Sequence, residues 1–140
     1  MIKKILILVI GIIIAITISV ALYIFRTTDK NGVRHKPNFV IPADSLVALY
    51  DVNEDSANVR FLDKVIEVKG SVAEISHDSV SCVVLLRDSS STEGVSCSLG
   101  VDQFEKTHLI KNGTIIRVKG ICAGKLIYIS LNKCTILGKY

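Results

Sequence analysis

The 140-residue sequence predicts a mainly β domain: five strands closed into a small Greek-key barrel, with short helices before strand 1 and between strands 3 and 4, preceded by one N-terminal transmembrane helix. Three observations predict it. Ile5 to Phe25 is an uncharged apolar run. The stretch Lys64 to Ile75, KVIEVKGSVAEI, recurs in degenerate form as TIIRVKGIC at Thr114 to Cys122. Beyond Asp63, β-branched runs alternate with polar turns, the spacing of an all-β barrel.

The repeat carries the argument for closure. Aligned on their glycines, Ile66, Val68, Lys69 and Gly70 fall on Ile116, Val118, Lys119 and Gly120, a constant offset of 50. A glycine inside a β-branched run weakens a flat strand but permits the sharp bend of a barrel corner. Two bent strands of one design imply a sheet that closes on itself.

Residues 1–4 are a short basic start, and residues 5–25 follow as the apolar segment. At about 1.5 Å per residue it spans a hydrocarbon core of roughly 30 Å, so the lipid bilayer is an expected partner. Ser19-Val20-Ala21 resembles a cleavage site, but apolar Leu22 to Phe25 follows and the run exceeds the length of a signal-peptide core. The segment therefore reads as a transmembrane anchor or uncleaved signal, with Tyr23 and Phe25 at the interface. No cysteine near its end invites lipidation. Residues 26–38 are polar and form a linker, and residues 39–140 form the barrel domain. Arg26, Lys30, Arg34 and Lys36 outnumber Lys3 and Lys4, which taken alone favours a cytoplasmic domain. A basic start before a single first apolar segment is how exported proteins begin, so the domain is expected on the extracytoplasmic side.

Charge separates the same two parts. Residues 1–36 carry +5 and the remainder −1, so the basic pI belongs to the tether and not to the domain. A nucleic-acid-binding surface normally shows itself as a basic patch, and that global signal is absent.

The elements follow in order. Pro42 is tolerated in a first helical turn, and Leu46, Leu49 and Tyr50 fall on one helical face. A second helix over Glu54 to Phe61 has Asn53 as its N-cap, with Ala57 and Phe61 facing inward. Val65 to Val68 alternates into Gly70 as strand 1, and Cys82 to Leu86 is a continuous apolar run, a strand buried on nearly both faces. Val95 to Leu99 alternates, with Val95, Cys97 and Leu99 inward. Val101 to Ile110 is an amphipathic helix, with Asp102 as its cap and Val101, Phe104 and Leu109 facing the core. Lys111-Asn112-Gly113 ends it. The second bent strand follows, and after a turn at Ala123 to Lys125 the last strand runs from Leu126 to Leu131. Five strands with a helix between the third and fourth is the OB order.

The pieces IPADSLVALYDVNEDSAN, FLDKVIEVKGSVAEIS, GVSCSL, KNGTIIRVKGICAGKL and ISLNKC also resemble the tRNA-anti-like OB-fold family, over about residues 41 to 136. The resemblance implies a small bacterial membrane-anchored or lipoprotein OB domain that acts as a binding module. It implies no catalytic residue, no cofactor and no assigned ligand, so ligand-binding positions remain unassigned.

The residues agree on the chemistry. There is no C-x-x-C, no nucleophile elbow and no phosphate loop, and His77 and His108 read as isolated surface histidines. A non-catalytic chain without a metal site is expected. Cys97 and Cys122 follow the parity of inward residues, and Cys82 and Cys122 read as buried thiols. A tight turn at Gly124 puts Cys134 some 25 Å beyond the partner of Cys122. In the OB order strands 3 and 5 are neighbours, so a disulfide, if one forms, joins Cys97 to Cys134, and four free thiols are the alternative.

OB barrels bind across strands 2 and 3, yet here those strands carry no aromatic, Arg87 is the cation nearby, and Tyr128 on strand 5 is the aromatic left to sit exposed. The expected partner is a protein, glycan or small molecule of the cell envelope, contacted by Ser76 to Ser81 and Arg87 to Gly94. Single-stranded nucleic acid is the alternative, disfavoured by the neutral charge and the bare strands. Lys69 and Lys119 read as a solvated face.

Overall fold

The computed structural model describes residues 11–21 and 36–139 and divides the chain into two units, Met1–Lys30 and Asn31–Tyr140. In the first, residues 11–21 are helical and Ile12, Ile14 and Ile18 are exposed along it. Eleven helical residues rise roughly 16 Å, and among the described residues no helix is long and apolar enough to cross a membrane. The rest of the expected 5–25 anchor, and linker residues 26–35, lie outside the described residues.

The second unit runs β1 (Phe39–Pro42), α1 (Ala43–Val52), α2 (Glu54–Phe61), β2 (Val65–His77), β3 (Cys82–Leu86) and β4 (Val95–Leu99). A 3-10 turn (Val101–Gln103), α3 (Phe104–His108), β5 (Ile115–Lys125) and β6 (Ile129–Lys139) complete it. The strands are ordered β2-β3-β4-β6-β5, and β5 pairs back onto β2, so five strands close into a barrel. The β4–β6 pair is parallel and the other four barrel pairings are antiparallel. This is the predicted Greek key, with the expected neighbours in place.

The repeated strands pair with each other. Val68 opposes Val118, and each glycine opposes an isoleucine of the other copy, Gly70 with Ile116 and Gly120 with Ile66. The two copies are therefore related by a local two-fold through the Val68–Val118 pair. The bend in β2 falls at Gly70: residues 65–71 pair with β5, and from Val72 onward the strand pairs with β3. Neither glycine takes a positive φ. Their role is close approach. A Cβ on Gly70 would lie 2.9 Å from the Ala43 Cβ, and one on Gly120 would lie 2.5 Å from the Cys134 Sγ.

The core fills the barrel with Ile66, Val68, Val84, Leu86, Cys97, Ile116, Val118 and Leu131, and α1 and α2 add Leu46, Tyr50 and Phe61. Asn53 caps α2 as expected, its Oδ1 accepting the Ser56 N–H at 2.8 Å. In the apolar run of β3 only Val83 is half-exposed, and the other four residues are buried.

Several local expectations are corrected. A sixth strand, β1, lies parallel on the first half of β2, where four residues were too few to show a period. Pro42 ends it and is the N-cap residue of α1, so the helix begins at Ala43. On α1 Leu49 is partly exposed and Val47 takes the buried position.

The segment after β4 is a 3-10 turn followed by one short α-helix, entered from Gly100 with no side-chain cap, so Asp102 caps nothing. Val101 and Leu109 are 60% and 71% exposed, while Gln103, Thr107 and Ile110 are buried instead. At this length the tighter 3-10 winding rotates the apolar residues away from an α-helical stripe.

The last strand begins at Ile129, not Leu126, because β5 continues through Gly124 (φ +90) to Lys125. That moves the register: Cys122 opposes Leu131, and a bulge with Lys133 at φ 52 brings Cys134 beside Gly120. The 25 Å separation expected between Cys122 and Cys134 is therefore wrong.

Candidate ligand-binding face

On β3 and β4 the residues between the core positions point outward, and Val83 opposes Ser98 while Leu85 opposes Ser96. Ser76 on β2 flanks Val83, and Ser130 on β6 flanks Ser96. Two aliphatic side chains are thus bordered by four hydroxyls and, opposite Leu85 on β2, by the exposed Glu74, and these seven positions hold no aromatic and no cation. This is the surface that OB barrels use for ligands. It has the composition expected from the sequence for strands 2 and 3.

Three loops border it. The β2–β3 turn closes with the Asp78 N–H donating to the Ser81 carbonyl at 2.8 Å, which leaves Val80 exposed. The β5–β6 hairpin presents Leu126 and Ile127, 89% and 78% exposed. Tyr128, expected to stand exposed, is half-buried.

The β3–β4 loop folds back so closely that a Cβ on Gly94 would lie 2.7 Å from the Leu86 carbonyl oxygen and 3.2 Å from Leu85 Cδ1. This backbone covers Leu85, which is only 7% exposed although it points away from the core. Asp88 accepts from the Ser89 and Ser90 hydroxyls, and the Ser91 hydroxyl donates to the Glu93 carbonyl. The serines that suggested a contact region are thus partly spent in shaping the loop.

Lys125 holds this end together. Its Nζ donates to Asp51 Oδ1 at 2.7 Å and pairs with the Glu93 carboxylate, joining β5 to the end of α1 and to the β3–β4 loop. The hydrogen bond to Asp51, then that to Glu93, raises the Lys125 pKa, and the same Lys125 bond lowers that of Asp51. Nothing in the sequence pattern pointed to this junction, because its three members are far apart along the chain.

At the other end of the barrel His77 and His108, expected to be isolated, stack nearly parallel with ring centroids 5.2 Å apart, and Phe104 meets His77 edge-on. Among the described residues no group of three or more His, Cys, Asp and Glu is placed to hold a metal ion. A groove of about 230 Å³ lies between α3 and β6, lined by Lys106, Leu109, Ile110, Ile136 and Leu137.

All four cysteines are buried free thiols in this structure. Cys97 and Cys134 stand together across β4 and β6, and a hydrogen bond with Cys97, followed by burial, pushes the Cys134 thiol well above its ordinary pKa. Burial does the same to Cys82. Cys122 lies 3.4 Å from the Tyr50 hydroxyl, which donates to Asn58 Oδ1 at 3.1 Å. Burial, then the Cys122 contact, raises the Tyr50 pKa.

A closed five-stranded barrel with this order, a helical turn between its third and fourth strands and a bordered outer face defines an OB-fold protein. The chain belongs to the tRNA_anti-like family, whose model matches residues 1–136. Among solved structures it is similar to a lipoprotein from Klebsiella pneumoniae subsp. pneumoniae provisionally described as nucleic acid-binding. The two are 15% identical with a TM-score of 0.61, and the match covers 70% of this chain and 91% of that one. It is also similar to a provisionally assigned aspartyl-tRNA synthetase from Leishmania major Friedlin, 14% identical with a TM-score of 0.50, over 72% of this chain and 21% of that one. These likenesses show the fold alone. No curated protein sequence matches the chain.

Proposed function

We propose that the protein is a non-catalytic OB-fold binding module, held at the bacterial membrane by residues 5–25, with its domain on the extracytoplasmic side. Its β3–β4 face takes an uncharged partner, a protein segment or glycan of the envelope. The observation that carries this reading is the face itself: Val83, beside the loop-covered Leu85, bordered by Ser76, Ser96, Ser98 and Ser130, with Glu74 at the β2 edge. Single-stranded nucleic acid on an OB face needs stacking rings and backbone-tracking cations, and these positions supply neither. Hydroxyls and aliphatics suit neutral hydrogen-bonding groups on an apolar backing. The second reading, nucleic-acid binding, is supported by the description of the Klebsiella lipoprotein as nucleic acid-binding.

The test uses a photo-crosslinking residue at Ser98 in the full chain in cells, with one at exposed Lys111 as control. A protein or glycan adduct at position 98 alone supports the reading. A nucleic-acid adduct there overturns it. For the location, a cysteine in the linker at residues 26–38 labelled by a membrane-impermeant thiol reagent in intact cells supports export, and labelling only after lysis contradicts it.

A further inference from the structure

The two copies of the repeat gather charge on a second side of the barrel. Ile66, Val68, Ile116 and Val118 are buried, so the residues between them, Glu67, Lys69, Arg117 and Lys119, project to the outer face of β2 and β5. Lys69 directly opposes Arg117, and Glu67 opposes Lys119. Arg117 Nη1 donates to Glu67 Oε1 at 3.0 Å, and Glu67 is buried among its neighbours. Lys133, exposed on the β6 bulge, adds a fourth cation. What counts here is the sum, four cations against one carboxylate, whatever contacts each lysine also makes within the fold.

Like charges directly across an antiparallel pair are destabilising. A sequence that places Lys69 against Arg117 departs from local consistency, and such departures concentrate where a surface has work to do. The face is interleaved with aliphatics, Val40 beside Glu67 in register and Ile115 at the far end of β5, and its β2–β5 positions carry no aromatic ring. Cations on long apolar stems among aliphatics suit a headgroup layer, whereas single-stranded nucleic acid lacks its stacking partners.

The chain enters the domain at the edge of this same face. The Asn38 N–H donates to the Val65 carbonyl at 2.7 Å, and β1 then lies along residues 66–69. Only residues 26–35 separate the apolar segment from the described domain, at most about 3.5 Å each. A surface held that near a bilayer meets it at high effective concentration.

We propose that the outer face of β2 and β5, with Lys69, Arg117 and Lys119 at its centre, docks the domain on the anionic headgroups of the bilayer that anchors it. The inference rests on the membrane-held reading, but its test is separate, because the domain has its own core and is used without the anchor. Residues 36–140 are sedimented with phosphatidylcholine vesicles and with vesicles containing a third phosphatidylglycerol.

Binding to the anionic vesicles alone, weakened by salt, is the expected result. Each cation near such a surface is worth about a fivefold change in partitioning, so the Lys69→Gln/Lys119→Gln variant loses roughly 25-fold. The single variant Lys69→Gln, at an exposed position, loses about fivefold and keeps the test valid should the double variant fold poorly. Absence of binding, equal binding to neutral vesicles, or undiminished binding of a folded variant overturns the proposal. So does tighter, lysine-dependent binding to an oligonucleotide than to the vesicles. Failure of the anchor itself would appear instead as release of the full chain from the membrane fraction.

Discussion

Gly120→Ala is expected to lower the stability of the domain sharply, because the residue is a glycine for room and not for φ. The added Cβ would sit 2.5 Å from the Cys134 Sγ, 3.1 Å from the Asn132 carbonyl oxygen and 3.3 Å from the Leu131 Cβ. Comfortable carbon contacts begin near 3.5 Å. The sulfur cannot swing away, since Cys134 is 3% exposed and hydrogen-bonded to its surroundings, so β6 itself must shift. Overpacking of this kind costs about 2 kcal/mol, which for a domain of this length lowers Tm by roughly 10 °C.

Thermal melts followed by circular dichroism on residues 36–140 provide the assay. Gly138→Ala is the control, because nothing lies within 4 Å of the Cβ it would add, and it should melt with the parent. The double variant Gly120→Ala/Cys134→Ala removes the sulfur and should melt above Gly120→Ala alone, a coupling of about 1 kcal/mol or more. A Gly120→Ala protein that melts with the parent, or a double variant that recovers nothing, would refute the reasoning.

Other perturbations follow from the same contacts. Glu67→Gln removes the carboxylate that pairs with Arg117 and should cost about 1 kcal/mol by urea titration, with part of the loss regained at high salt. Lys125→Gln releases Glu93 and Asp51 and should speed tryptic cleavage at Arg87, and unchanged cleavage would show that the junction does not hold the loop. Because Asp51 is lowered from 3.8 by Lys125, the junction is intact above that pH and should loosen as acid protonates Asp51. Cys134, Cys82 and Tyr50 are raised above their ordinary values of 9.0, 9.0 and 10.0. Stability from these groups is complete below pH 9.0 and should fall as the pH rises further, where the unfolded chain ionises first. Thiol counting should give no fast-reacting thiol in the native protein and four after denaturation without reductant. A count of two would mean that Cys97 and Cys134 have joined.

The barrel was legible because its evidence is periodic. Alternation placed Ile66, Val68, Cys97 and Val118 in the core, and a repeat with one glycine per copy announced two strands of one kind. Legibility failed where a few residues decide an element. Val101 and Leu109 looked like a buried stripe only if the segment wound as an α-helix, and β1 was too short to show alternation. The end of β5 was misplaced because a positive φ at Gly124 lets a strand bend without stopping.

The candidate face was read correctly as poor in rings and cations, since that is a matter of composition. The Asp51–Lys125–Glu93 junction and the His77–His108 stack were not legible, as they join residues whose separation along the chain carries no pattern. Nor was the meaning of the charge reversal inside the repeat, Glu67 in the first copy and Arg117 in the second.

The sequence by itself determined the five barrel strands, the closure and the neutral character of the domain, because burial patterns are local and follow from side-chain chemistry. Only the tertiary structure decided the register. Through the register it decided that Glu67 meets Arg117, that Lys69 faces a like charge, and that Gly120 must be small to admit Cys134. A shift of one residue in pairing leaves the sequence pattern intact but exchanges every cross-strand neighbour, so such contacts exist only once the sheet has closed.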